Sequence, residues 1–275
     1  MEDIISTDNM RERESKHTSN HEKYVIWALF DDGNCSYKEA IKEFFHGKFK
    51  VHCFGINEKP KAFLNEKSRN YKYHKLDLSL TNPILFSKLD EIKDKPDIIL
   101  ASPPCESWSG ADCDGKMFNG FNNIGNWIVK NKSFYDAYNK KCNPVKRRYF
   151  IQKEKGRIIG ENTIGATIDI INHYPNAIWV IENPATSKTW IYQEKHWCFS
   201  GIINKTYYSS YDSSFSAKPT IFKSKIKLNL KSEKESVGNN RHMAYGSYDK
   251  RSAIPKQLIV DIINSCLDEL IKKDK

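Results

Sequence analysis

The residue in this sequence best placed for covalent chemistry is Cys105. In PDIILASPPCESWSG, residues 96–110, an apolar run ends in two prolines and the thiol follows directly. Proline fixes φ, so the thiol is held in few orientations, which suits a nucleophile. Cysteine attacks as the thiolate, and its pKa of about 8.5 must be lowered by a nearby cation or a helix N-terminus. The alternative is that Cys105 is a small buried apolar residue.

A carboxyl group, Glu182, stands at the end of a second apolar run, AIWVIENP. A carboxyl group can act as a general acid or base. The alternative is a strand-end carboxylate that caps the turn before Pro184. If Cys105 and Glu182 act in one reaction, the sulfur and the carboxyl must meet in one pocket.

The elements that must position these residues alternate along the chain. Strands are predicted over KYVIWALF, FKVHCFGINEK, KYHKLDLSL, DIILASPPC and AIWVIENP, and helices over SYKEAIKEFFHG, NPILFSKLDEIKD and GENTIGATIDIINHYP. This order predicts an α/β fold with a doubly wound, mostly parallel sheet that binds ligands at the carboxyl ends of its strands. The side chains expected at that edge are Asp32, Glu58, Asp77 and Cys105.

Two stretches break the alternation and are predicted to be irregular insertions, at 107–160 and 185–250, the second of which contains a β-like segment, NKTYYSSYD. The first contains GKMFNGFNNIGNW and YNKKCNPVKRRYF, after which a helix is predicted to begin near Asn162 or Thr163. A closing amphipathic helix is predicted over SAIPKQLIVDIINSCLDELIKK. Residues 1–22 are polar without apolar periodicity and are predicted to be a flexible tail, so that residues 23–275 form the folded domain.

Composition narrows the class of protein. The chain has 275 residues, 39% of them hydrophobic, which suffices for one main core. Its 44 lysines and arginines against 34 aspartates and glutamates give a charge of +10, which favours nucleic acid as a partner, although a solvated basic surface has the same balance. Seven cysteines without CxxC pairs indicate free thiols and no metal site.

No run reaches the roughly 20 apolar residues of a membrane span and no signal peptide is recognisable, so a soluble, cytoplasmic protein is expected.

The motifs, taken in order, resemble those of the cytosine-5 DNA methyltransferases. SPPCESWS and VIENP are similar to the fourth and sixth motifs of that family. ALFDDGNCSYKEAI is similar to its first motif, with Asp31 and Asp32 where the family has small residues. ENPATSKTW, YSSYDSSFSAKPT and RSAIPKQLIVDII give the closest likeness to compact phage and prophage-type members. The resemblance implies a Rossmann-like class I methyltransferase domain over residues 23–275, with S-adenosylmethionine as cofactor and with the insertions at 107–160 and 185–250 as candidate DNA-recognition segments.

The resemblance also implies roles for individual residues. Cys105 adds to C6 of a cytosine flipped out of double-stranded DNA, and Glu182 acts at N3, so that C5 accepts the methyl group. The implied cofactor-binding residues are Phe30, Asp32, Gly33, Glu58, Asp77, Pro103 and Ser252. The expected contacts to base and DNA are Asn183, Lys218, Thr220, Lys146, Arg147 and Arg148. Lys218 or Thr220 stands where the family's eighth motif has an arginine. The three residues 146–148 are expected to contact phosphates, or else to form an ordinary solvated basic face.

Two other functions remain open on the sequence. One is methylation of C5 of cytosine in tRNA by the same fold, and the other is a methyltransferase-like protein that binds nucleic acid without turnover. Keeping both Cys105 and Glu182 argues against the second. The family resemblance further suggests a monomer and allows a cognate restriction endonuclease as a partner.

Overall fold

The computed structural model describes residues 23–58, 60–108, 120–121, 127–233 and 252–273. The polar tail predicted at 1–22 lies outside the described residues, as do Cys113 and the parts of the two predicted insertions at 109–119, 122–126 and 234–250. Within the described ranges, no helix is both long enough and apolar enough to cross a membrane.

A seven-stranded sheet forms the centre of the fold. Its strands are β1 (Tyr24–Leu29), β2 (Phe49–Gly55), β3 (Tyr71–Lys75), β4 (Ile98–Ala101), β7 (Ile178–Pro184), β8 (Ile202–Tyr207) and β9 (Pro219–Ser224), and a separate hairpin contains β5 (Gly120–Phe121) and β6 (Trp127–Ile128). The strand order is β3-β2-β1-β4-β7-β9-β8. The first five are parallel, whereas β9 runs antiparallel to β7 and β8. The predicted Rossmann-like, mostly parallel α/β fold is confirmed.

Helices cover both faces of this sheet. They are α1 (Ser36–Phe44), α2 (Leu85–Asp90), α3 (Lys132–Lys141), α4 (Phe150–His173), α5 (Thr189–Lys195) and α6 (Lys256–Lys273). Successive residues of β1 point to opposite faces, so Ile26 packs in a core with α1 and α6, and Trp27 packs in a core with α2 and α4. All four residues of β4 are buried, as expected of a parallel strand between two helical layers.

Helix α4 approaches the rest of the protein closely at Gly165. A Cβ atom at this position would lie 2.4 Å from Cδ1 of Leu80 and 2.6 Å from Cζ2 of Trp197. Gly156, on the same helix, has more room, since a Cβ atom there would lie 3.9 Å from Cβ of Ser107. The two glycines therefore allow a tightly packed and a loosely packed position to be compared within one helix.

We expect Gly165→Ala to lower the free energy of unfolding by about 1–3 kcal/mol, because the added methyl overpacks the contact with Trp197. Gly156→Ala is expected to raise it by about 0.5–1 kcal/mol, because alanine favours the helix and meets only ordinary contact. Urea unfolding of both variants measures the difference. Stabilisation by both substitutions would show that α4 does not pack tightly at Gly165.

The predicted boundary of α4 was wrong. The helix begins at Phe150 and not near Asn162 or Thr163, and α3 also lies in the stretch that was predicted to be irregular. The buried residues of α4 all lie from Gly160 onward, so its first ten residues carry no buried apolar face for a periodicity argument to find. In the second stretch, β8 overlaps the predicted β-like segment, whereas α5 and β9 were not predicted.

Candidate active site

Cys105 and Glu182 lie at the same edge of the sheet, on neighbouring strands. Strands β4 and β7 are parallel, with Ala101 opposite Ile181, so Glu182 is level with the first residue after β4. Cys105 follows three residues later and is half-buried, whereas Glu182 is buried. The two side chains are close enough for the carboxylate charge to act on the thiol.

The loop that carries Cys105 is fixed from both sides. Asn183 Nδ2 donates to the Pro103 carbonyl oxygen at 3.0 Å, which ties the double-proline turn to β7. Beyond the thiol, the backbone N–H of Trp108 donates to the Cys105 carbonyl at 3.0 Å, and the N–H of Lys188 donates to the Trp108 carbonyl at 2.9 Å. Asn183 and Pro103 are buried. Their predicted contacts, to substrate and to cofactor respectively, stay predictions.

Glu182 has a phenol and an ammonium group beside it. Tyr208 is fully buried and donates its hydroxyl proton to Glu182 Oε1 at 3.2 Å. Nζ of Lys218 lies 4.0 Å from the same oxygen and 4.5 Å from the centre of the Tyr208 ring. The sequence analysis missed Tyr208, because Tyr207, Tyr208 and Tyr211 stand close together and nothing in their spacing distinguishes one of them.

The environment of Cys105 raises the pKa of its thiol to about 11. Burial is the largest cause, since it disfavours the thiolate, and the negative charge of Glu182 acts in the same direction. The positive charge of Lys218 acts in the opposite direction. The sulfur is therefore a protonated thiol at neutral pH in the protein alone, and it becomes a nucleophile only when its surroundings change.

Lys218 and Thr220, the two alternatives for the usual arginine of the eighth motif, lie in different surroundings. The Lys218 ammonium group faces Glu182, as described above. Thr220 is fully buried in β9, and its hydroxyl donates to the Lys218 carbonyl at 3.0 Å. Of the two, only the Lys218 side chain brings a charge to the site.

The loop after β1 has the left-handed backbone that ligand-binding turns often need. Phe30 has φ of 62° and Cys35 has φ of 50°, both unusual for residues other than glycine. Asp31, where the family resemblance leads one to expect a small residue, is buried and accepts from the backbone N–H groups of Tyr37 at 3.4 Å and Lys38 at 3.2 Å. Burial raises the pKa of Asp31 to about 6. Through its two hydrogen bonds, the carboxyl group of Asp31 holds the start of α1.

Asp32 joins this loop to the end of β2. Its Oδ2 atom accepts from the N–H groups of Ile56 at 2.8 Å and Asn57 at 3.1 Å. Gly55 makes this approach possible, because a Cβ atom there would lie 2.1 Å from Cβ of Asp32. Asp32 thus shapes the loop, and its predicted contact with the cofactor stays a prediction.

The remaining predicted cofactor residues lie along the same edge. Glu58, beyond β2, is exposed and pairs with Lys75, while Asp77, beyond β3, is exposed and accepts from the Ser79 hydroxyl at 3.1 Å. Gly33 is exposed, with open space where a Cβ would be. Ser252 Oγ accepts from Asn34 Nδ2 at 3.1 Å, which brings the segment before α6 to the loop after β1.

This donor set fits S-adenosylmethionine. Exposed carboxylates after β2 and β3 are able to accept from ribose hydroxyls and an exocyclic amine, and the open backbone at Gly33 allows close approach of a ligand.

The basic cluster lies apart from the sheet edge, between α3 and α4. Lys146 and Arg147 are exposed, and Arg148 is half-buried. The Arg148 backbone is held by the amide of Asn139, which accepts from its N–H at 2.8 Å and donates to its carbonyl at 2.7 Å.

The chain matches no protein-family model and no curated protein. Among solved structures, it is similar to an E. coli prophage-encoded protein assigned as a DNA modification methyltransferase, with 12% identity, a TM-score of 0.41 and coverage of 82% of this chain and 56% of that one. The Entamoeba histolytica methyltransferase EhMeth is 14% identical at a TM-score of 0.41, with coverage of 78% and 58%. A Plasmodium falciparum protein assigned as a ribosomal RNA methyltransferase is 10% identical at 0.34, with coverage of 79% and 93%.

The chain spans somewhat more than half the length of the first two of these proteins.

Proposed function

We propose that this protein transfers a methyl group from S-adenosylmethionine to C5 of cytosine in DNA. The observation that carries the proposal is the group of side chains at the ends of β4 and β7. A half-buried thiol, Cys105, lies within the electrostatic reach of a buried carboxylate, Glu182, and an ammonium group, Lys218, lies 4.0 Å from that carboxylate. Methylation of an unactivated pyrimidine carbon needs a nucleophile and a proton donor, and the ammonium group offsets the negative charge that these two groups bring.

Cytosine C5 is a poor nucleophile, so the ring has to be activated first. Addition of the Cys105 sulfur to C6 turns the C5–C6 double bond into an enamine, whose C5 is electron-rich. S-adenosylmethionine supplies an electrophilic methyl group when bound. After C5 has been methylated, its proton passes to solvent. The C6–S bond then breaks and the N3 proton returns through Glu182 to the sulfur, which restores the double bond.

Glu182 and its neighbours control the proton during the addition. Negative charge builds on the ring as the sulfur adds. The proton that leaves the Cys105 thiol passes to the Glu182 carboxylate and from there to N3, where it neutralises that charge. Tyr208 fixes the Oε1 atom of Glu182 by its hydrogen bond of 3.2 Å, so the other carboxyl oxygen is left to face the ring. Lys218 offsets the negative charge that the thiolate and the carboxylate would otherwise share.

Entry of the base is also expected to lower the pKa of the Cys105 thiol. The Glu182 charge is one of the causes that keep the Cys105 pKa at about 11. A cytosine whose N3 and amino group bond to Glu182 screens that charge from the sulfur. The thiol therefore becomes more acidic at the moment when its target atom, C6, is beside it.

Incubation of the purified protein with methyl-labelled S-adenosylmethionine and unmethylated duplex DNA tests the proposal. Digestion to nucleosides and mass spectrometry are expected to give 5-methylcytosine. Labelled N6-methyladenine or N4-methylcytosine would contradict the proposed site of transfer. Bulk tRNA in a parallel reaction separates the DNA enzyme from the RNA alternative, since transfer to tRNA alone would overturn the choice of DNA.

A further inference from the structure

We propose that residues 130–161, named here the basic arm, dock the phosphate backbone of duplex DNA and present it to Cys105. The inference rests on the proposed function for its choice of substrate. The arm contains ten lysine and arginine residues against three aspartate and glutamate residues, so it has a charge of +7 out of the chain's +10. Its occupant is expected to be a polyanion.

Most of this charge is not neutralised within the protein. Lys132 pairs with Asp136, and Arg157 pairs with Glu154 and Glu161. Six further cations form no ion pair with any residue that the structure describes: Lys140, Lys141, Lys146, Arg147, Arg148 and Lys155. All are exposed except Arg148, which is half-buried. Such cations are free to replace the counterions of a phosphate backbone.

The arm is a folded unit and not a loose loop. Its two helical parts are joined by an aromatic cluster around Tyr135, which is buried against Phe134, Tyr138 and Phe150. The amide of Asn139 clamps the backbone of Arg148, as described above. A rigid support of this kind lowers the entropy cost of ordering charged side chains on a ligand.

The C-terminal end of the basic arm lies beside the candidate active site. At Gly160, helix α4 passes so close to the loop after Cys105 that a Cβ atom would lie 2.2 Å from Oγ of Ser107 and 2.6 Å from Nε1 of Trp108. From there the helix runs back for ten residues to Phe150, a length of about 15 Å at 1.5 Å per residue. DNA that docks on this helix is therefore held beside the thiol.

The shape of the arm favours DNA over RNA. One face of the first half of α4 is exposed, and on it Ile151, Lys155 and Ile158 follow one another at helical spacing. The major groove of B-form DNA is about 12 Å wide and admits a helix, and its thymine methyl groups accept apolar contacts. The major groove of A-form RNA is too deep and narrow for that.

The test compares two triple variants that lose the same charge. In the arm variant, Lys146, Arg147 and Lys155 are replaced by alanine, and in the control variant Lys23, Lys48 and Lys93 are replaced. The control residues are exposed and precede β1, β2 and β4, at the opposite edge of the sheet from Cys105. Binding of each protein to a short labelled DNA duplex of mixed sequence is measured between low and high salt.

The arm variant is expected to bind the duplex about 10²-fold more weakly at 0.1 M salt, with the slope of log K against log salt smaller by about 2.7, since each lost contact removes about 0.9. The control variant is expected to keep the wild-type affinity and slope. Binding of S-adenosylmethionine to both variants, measured by calorimetry, checks that they are folded.

Equal slopes for the arm and control variants would overturn the docking role while leaving the methyl transfer reaction untouched. Tighter, arm-dependent binding of an RNA duplex of the same sequence would overturn the choice of DNA. If wild-type protein binds DNA through the arm and yet gives no 5-methylcytosine, the docking inference stands and the proposed function fails.

Discussion

Replacement of Cys105 by alanine is expected to reduce methyl transfer by about 10⁴-fold or more, because the variant has no group that can add to C6. The affinity for S-adenosylmethionine is expected to change little, since the sulfur acts on the base. Turnover is measured with labelled cofactor, and cofactor binding is measured by calorimetry. A variant with wild-type turnover would exclude Cys105 as the nucleophile.

Two controls separate loss of chemistry from loss of structure. Cys198→Ala removes an exposed thiol outside the site and is expected to leave turnover unchanged. Duplex DNA with fluorine at C5 of cytosine has no C5 proton to lose, so the sulfur cannot depart after methylation. Wild-type protein is therefore expected to form a complex with this DNA that survives denaturing electrophoresis, whereas Cys105→Ala forms none.

Replacement of Glu182 by glutamine is expected to move two measurements in opposite directions. Methyl transfer falls by about 10²–10⁴-fold, the usual loss when a general acid is removed. Alkylation of Cys105 becomes faster at a given pH below 11, because the negative charge that helps to raise the thiol pKa to about 11 is gone. The pH midpoint of alkylation by iodoacetamide is expected to fall, and a midpoint equal to that of wild type would show that Glu182 does not act on the thiol.

Tyr208→Phe is the matched variant for this comparison. It removes the hydrogen bond of 3.2 Å to Glu182 and leaves the carboxylate in place. The alkylation midpoint is therefore expected to stay at its wild-type value. A fall as large as that in Glu182→Gln would mean that the midpoint reports disturbance of the pocket and not the carboxylate charge.

The sheet and the edge that carries Cys105 and Glu182 follow from short-range features of the sequence. An apolar run such as Ile98–Ala101 is buried on both faces only in a parallel sheet with helices on either side, and polar residues must then stand where each strand ends. Because β4 and β7 are neighbours, Cys105, which follows β4, and Glu182, near the end of β7, are brought together. The alternation of strands and helices thus predicted both the fold and the position of the thiol.

Features that depend on contacts between distant parts of the chain were not predictable in this way. Tyr208 is one of several tyrosines in its segment. Its hydroxyl reaches Glu182 because β8 and β9 pair antiparallel beside β7, a contact between distant parts of the chain. Asp31 in the first motif looked like a departure from the family, yet it holds the start of α1 through the N–H groups of Tyr37 and Lys38. The first half of α4 was not predicted, because the buried residues of this helix start at Gly160 and the sequence before it shows no apolar periodicity.

The high pKa of the Cys105 thiol also affects how readily this residue is oxidised. With a pKa of about 11, only about one sulfur in 10⁴ is ionised at pH 7. Peroxide attacks the ionised form and converts it to sulfenic acid, so the idle protein is protected from inactivation. Reactivity toward a hydrogen peroxide pulse is therefore expected to be low in the protein without a bound ligand.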